Sequence, residues 1–135
     1  MRTIISKRLW IGHAGDARDE GALRESDICA VVDLAYEEPP PVISRDLIVC
    51  RIPLSDDGEN DPERLATAVD LIVSLLERSI PVLVACSGGM SRSPAISAAA
   101  IARVQNLNSS DALRMVTQDG PADVSPMLWQ QLIRL

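Results

Sequence analysis

Two short runs, Ile28 to Leu34 (ICAVVDL) and Pro81 to Ala85 (PVLVA), are apolar almost without interruption. A strand with one wet face alternates apolar and polar residues, whereas a strand covered on both faces need not. Both runs therefore predict strands sandwiched between layers of helix. Leu47 to Ile52 (LIVCRI) predicts a third strand. Between the second and third of these segments in the chain, Leu65, Val69, Ile72 and Leu76 recur at spacings of four, three and four, which lays one apolar stripe along a helix. Asp61 as N-cap, Pro62 at the first helical position and Glu63 in the first turn give that helix a defined start. Strand, helix, strand, helix in this order predicts an α/β fold, a mostly parallel central sheet flanked by helices. In such sheets ligands bind beyond the carboxyl ends of the strands.

The rest of the chain fits that frame. Ile4-Ile5 and Leu9 to Ile11 read as two short edge strands ending at Gly12, followed by a helix from Ala17 to Glu25 capped by Asp16 or a neighbour. Tyr36 to Pro41 (YEEPPP) can continue neither strand nor helix and reads as a surface loop. Ser91 to Leu107 is apolar nearly all round, as a helix enclosed by others should be. Two more helices are expected, from Ser109 or Ser110 to Gln118 and from Ser125-Pro126 onward. With 135 residues, one domain spanning 1–135 is expected.

Composition narrows the function classes. Aromatic residues are 2% of the chain and Phe is absent, so the core must be aliphatic. A net charge of -6 without a basic stripe argues against a nucleic-acid partner bound through its phosphates. Met1 to Gly12 lacks an apolar stretch long enough for a signal peptide or a membrane span, which predicts a cytoplasmic protein with no membrane partner. Three cysteines, Cys29, Cys50 and Cys86, without framework spacing also favour a reducing compartment. With no Cys-x-x-Cys and a single histidine, His13, no metal site is expected.

The chemistry concentrates in VACSGGMSRS, Val84 to Ser93. A strand passing through Ser87, Gly88, Gly89, Met90 and Ser91 into a helix can aim successive backbone N–H groups at one point. The glycines give the backbone freedom for that turn, and the helix N-terminus adds partial positive charge. Arg92 adds a planar, permanently charged fork suited to two phosphate oxygens. Cys86 at the floor of this anion cradle would have its thiolate favoured. Cys29 and Cys50, inside predicted strands, read as packing residues, with a Cys50–Cys86 disulfide as a minor redox alternative.

Cys86, Gly89, Ser91, Arg92 and Ser93 resemble the signature loop of the cysteine-dependent protein tyrosine phosphatases, closest to the compact dual-specificity type. The early LWIG, the segment PLSDD and the ending PMLWQQL extend the resemblance along most of the chain. It implies a phosphoric monoester hydrolase needing no metal or other cofactor, with a phosphorylated protein or small phosphoester as substrate. Under it Cys86 is the nucleophile, Arg92 binds phosphate and stabilises the transition state, and Ser93 assists the sulfur as leaving group. Ser87, Gly88, Gly89, Met90 and Ser91 line the phosphate, and Asp56, 30 residues before Cys86, is the general acid. Asp57 is its immediate rival, because geometry decides which carboxyl reaches a leaving oxygen. Glu59 and Asp61 read as solvated acids.

The chain departs from the family at Ala85, where the family has a histidine that orders the loop and supports the thiolate; a slower enzyme is the expectation. Tyr36 is the only tyrosine and no aromatic loop is evident, which points to a shallow pocket. Arg45 and Arg51 could add positive field near the site or be solvated surface residues. A rhodanese-type sulfurtransferase and a non-catalytic phosphate-binding pseudophosphatase are the competing readings.

Overall fold

A computed structural model describes residues 1–44 and 46–135; Arg45 therefore lies outside the described residues. The elements are β1 (Arg2–Ile5), β2 (Leu9–His13), α1 (Glu20–Glu25), β3 (Ala30–Ala35), β4 (Ile48–Leu54), α2 (Pro62–Glu77), β5 (Val82–Cys86), α3 (Arg92–Val104), α4 (Ser109–Thr117) and α5 (Pro126–Ile133), with a short 3₁₀ turn over Asp16–Arg18. They form a five-stranded sheet in the order β1-β2-β5-β3-β4. Only β1 runs antiparallel to its neighbour; β2, β5, β3 and β4 are parallel. Their carboxyl ends therefore converge on one edge, with Cys86 opposite His13 on β2.

The two apolar runs lie where their composition demands. β3 and β5 are buried along their whole length at the centre of the sheet. Val32, Val84 and Cys86 face a core shared with Leu65, Ile72, Ile96 and Leu128 from the helices. Val31, Leu83 and Ala85 face the opposite side, against Trp10, Leu23 and Ile28. Helix α2 begins as its sequence dictates, Asp61 accepting from the Glu63 N–H at 3.0 Å, and all four stripe residues are buried. Each Leu or Ile fully removed from water in this way contributes about 1.5–3 kcal/mol. Helix α3 packs against α2, α4 and α5, which accounts for its nearly uniform apolarity.

Several expectations are corrected. β2 is internal, inserted between β1 and β5, whereas β4 is the second edge strand. The helix expected from Ala17 is broken: the 3₁₀ turn ends at Arg18, and Asp19, not Asp16, caps α1 by accepting from the Ala22 N–H at 3.1 Å. Asp16 is instead drawn back to the His13 backbone N–H at 3.0 Å, a turn in which His13 Nδ1 accepts from the Asp16 N–H. Helix α3 spans Arg92–Val104, shorter at both ends than expected. Cys29 is exposed and precedes β3. Cys50 is in register with Val32, and Val32 with Val84, so two strand spacings, about 10 Å, separate Cys50 even from Val84. A disulfide to Cys86 is out of reach, because bridged cysteines need Cα atoms within about 7 Å.

One buried charge stands out in β3. Asp33 is 3% exposed; its Oδ1 accepts from the Ala35 N–H at 3.0 Å, and its Oδ2 lies 3.6 Å from Arg51 Nε. Desolvation pushes its carboxyl above the ordinary value, against the pull of the Ala35 N–H and of Arg51. The folded state then holds this proton more tightly than the unfolded chain. Ionising Asp33 costs stability as pH rises from the unfolded value, about 3.9, through the raised folded one. Asp33→Asn, which keeps an acceptor for Ala35, should gain on wild type across that interval and hold a constant advantage above it. Urea unfolding at a series of pH values measures this; an advantage that does not change with pH contradicts it.

Candidate active site

Cys86 is the last residue of β5 and is 2% exposed. The chain then turns through Ser87 to Ser91 and enters α3 at Arg92. The turn depends on Gly89, whose φ of +72° is in the left-handed region; an added Cβ would meet the Gly12 carbonyl carbon at 2.8 Å. A side chain there is excluded both by backbone strain and by contact with β2. In this conformation the Gly89 N–H donates to Cys86 Sγ at 3.2 Å. The cysteine thus sits under a backbone donor at the N-terminus of a 13-residue helix.

Arg92 is only 6% exposed and is held from two sides. Its Nη1 donates to the Leu54 carbonyl at 2.8 Å, and its Nη2 pairs with Glu37 Oε1 at 2.7 Å. A guanidinium has five N–H donors, and these two contacts occupy two of them. Ser91 has no capping bond to α3; its hydroxyl donates to Asp56 Oδ1 at 2.7 Å and accepts from the Ser125 N–H at 2.8 Å. Ser125, the N-cap of α5, in turn donates its hydroxyl to the Asp56 carbonyl at 2.7 Å. Asp56 is therefore pinned at both side chain and backbone.

Asp56, Cys86, Gly88, Met90, Ser91, Arg92 and Asp123 line one cavity of about 210 Å³. Asp57 is not in its wall. Its Oδ1 accepts from the Ser55 hydroxyl at 2.6 Å and from the Glu59 N–H at 3.0 Å, and these bonds hold its carboxyl below the usual range. The Ser93 hydroxyl is directed at the Gly12 carbonyl, at 3.4 Å, rather than at the sulfur. Ser87 leans the other way, donating to Glu38 Oε1 at 2.8 Å. Arg51 is an exposed residue outside the cavity wall, yet its Nη2 is held by the carbonyls of Ala35, Tyr36 and Glu38. Tyr36 is exposed.

Sequence reasoning missed Glu37, Glu38 and Ser125. YEEPPP reads from its sequence only as a surface loop, and the adjacency of β3 to β5 is what brings its acids to the cradle. The one available signal was position: a loop following a buried strand opens on the same sheet edge as Cys86.

Comparison with known proteins gives the chain its family and fold. Residues 9–135 match the family described as "Dual specificity phosphatase, catalytic domain". The chain is 31% identical over 129 residues to the tyrosine-protein phosphatase vhp-1 of Caenorhabditis elegans, covering 92% of this chain and 19% of that protein. It is 27% identical over 133 residues to human dual specificity phosphatase 28, covering 95% and 73%. The chain spans only 19% to 30% of the length of vhp-1 and of the Drosophila melanogaster dual specificity protein phosphatase Mpk3. The crystal structure of human dual specificity phosphatase 28 superposes with a TM-score of 0.87 at 25% identity, over 99% of this chain and 94% of that one. That of dual specificity phosphatase 15 gives 0.85 at 26% identity, over 99% and 85%. The sulfurtransferase alternative gives way to these matches: the chain belongs to the dual specificity phosphatase catalytic-domain family, the compact branch of the cysteine-dependent phosphatases.

Proposed function

We propose that residues 1–135 act as one catalytic unit that hydrolyses phosphate monoesters on tyrosine, serine or threonine side chains of proteins, through a phosphocysteine on Cys86. The Cys86 thiolate attacks phosphorus, forming an S–P bond as the bond from phosphorus to the ester oxygen breaks, and Asp56 gives that oxygen its proton. Water then attacks the phosphocysteine, Asp56 takes the water's proton, the S–P bond breaks and inorganic phosphate leaves. Arg92 and the N–H groups of residues 87–91 hold the non-bridging oxygens throughout, where charge accumulates. Ser93, whose hydroxyl makes only a long bond to the Gly12 carbonyl at 3.4 Å, assists the departing sulfur by turning to donate to it.

The observation that carries this reading is that the Asp56 carboxyl, the Cys86 thiol and the Arg92 guanidinium share one small cavity at the carboxyl edge of a parallel sheet. No step asks for a metal. None of the helices is long and apolar enough to cross a membrane among the described residues, and three free cysteines suit a reducing compartment such as the cytoplasm. The test is hydrolysis of an aryl phosphate and of phosphotyrosine, phosphoserine and phosphothreonine peptides by the folded protein. Turnover of the aryl ester and at least one peptide is expected. Oxyanion binding without turnover of any substrate would instead identify a pseudophosphatase.

A further inference from the structure

The β5 residue before Cys86, Ala85, contributes only a methyl group to the face beneath the loop, so the order of the cradle must come from elsewhere. It comes from the segment after β3. Glu38 accepts from Ser87, at the start of the cradle, and Glu37 pairs with Arg92, at its end. The segment itself is tied on both sides. Arg51 Nη2 gathers the carbonyls of Ala35, Tyr36 and Glu38 at 3.1 to 3.4 Å, with its Nε near buried Asp33. Arg18 donates to the Pro39 carbonyl and, through Nη1, to the Ala14 carbonyl at 2.9 Å. The Ala14 N–H in turn donates to the Ser87 carbonyl at 3.2 Å. Resting on the phosphatase reading, we propose that residues 36–39 are a clasp, fastened by Arg18 and Arg51, that keeps the 87–92 loop in its anion-receiving form. Glu38 is then a positioning residue acting through Ser87, and Arg51 one acting through Glu38.

The charge of the clasp gives the proposal a sign. A carboxylate beside an anion site repels the anion, so a Glu38 that merely repelled would make its removal strengthen anion binding. A clasp makes the opposite demand: losing the acceptor frees Ser87 and weakens binding, whatever the gain from lost repulsion. Tungstate is the probe, measured as a competitive inhibitor of aryl phosphate hydrolysis alongside kcat/KM, with thermal melting to confirm folding. Glu38→Ala should weaken tungstate inhibition about tenfold, the scale of one hydrogen bond to a charged group. Glu38→Gln, which keeps an acceptor and loses the charge, should stay within about threefold of wild type on the same scale. Arg51→Met should match Glu38→Ala, and the double variant should be little worse than either single one, because both release the same segment. Unchanged or tighter tungstate inhibition in Glu38→Ala overturns the clasp, as does a double variant in which the two losses multiply. A wild type that neither binds tungstate nor turns over an aryl phosphate overturns the phosphatase reading itself, and the clasp with it.

Discussion

Cys86→Ser is expected to reduce turnover to background, a loss on the order of 10⁴-fold or more, while oxyanion binding persists. Cys86 supplies the thiol in the cavity wall, and a serine hydroxyl is a far weaker nucleophile because it stays neutral where a thiol ionises. Binding should survive because it rests on Arg92 and on the loop N–H groups. Aryl phosphate hydrolysis and tungstate binding, measured on the same preparation, test both halves. Residual activity within tenfold of wild type would remove Cys86 from the role of nucleophile. Loss of tungstate binding with the fold intact would mean that the sulfur, not the cradle, holds the anion.

Asp56→Ala should lower kcat by about 10²–10³-fold, within the span of general acid–base catalysis, and should remove the basic limb of the pH–rate profile. Asp57→Ala should lower it no more than about threefold, the scale of a lost surface hydrogen bond. The distinction rests on where the two carboxyls are spent. Asp57 ties off its own turn through Ser55 and Glu59 and is absent from the cavity wall. Asp56 is aimed into the cavity by Ser91 and Ser125. Should the basic limb vanish in Asp57→Ala and survive in Asp56→Ala, the assignment is reversed.

What could be read in the sequence was what depends on neighbours along the chain. The cap at Asp61-Pro62, the stripe of α2, the buried runs of β3 and β5 and the strand–loop–helix around Cys86 are all local patterns, and each formed as its residues dictate. What could not be read depends on which strands become neighbours. LWIG looks like an edge strand until β1 covers one side and β5 the other. Asp16 looks like a helix cap until the 3₁₀ turn passes that task to Asp19 and leaves its carboxylate to His13. Glu37 and Glu38 lie about 50 residues from the loop they hold, a pairing no spacing rule encodes. Sequence reasoning prefers Asp56 to Asp57, but which of the two lines the cavity depends on side-chain direction, which adjacent letters do not encode.

The central claim, a covalent phosphoryl transfer to one thiol, is tested most directly by intact-mass analysis of the protein quenched in acid during turnover of an aryl phosphate. Asp56→Ala should help, because water attack on the intermediate loses its base. The expected result is a fraction of the protein heavier by one phosphoryl group, mapped to the peptide carrying Cys86 and absent in Cys86→Ser. Turnover with no such adduct on Cys86 under any quench time, or an adduct on another residue, would contradict it.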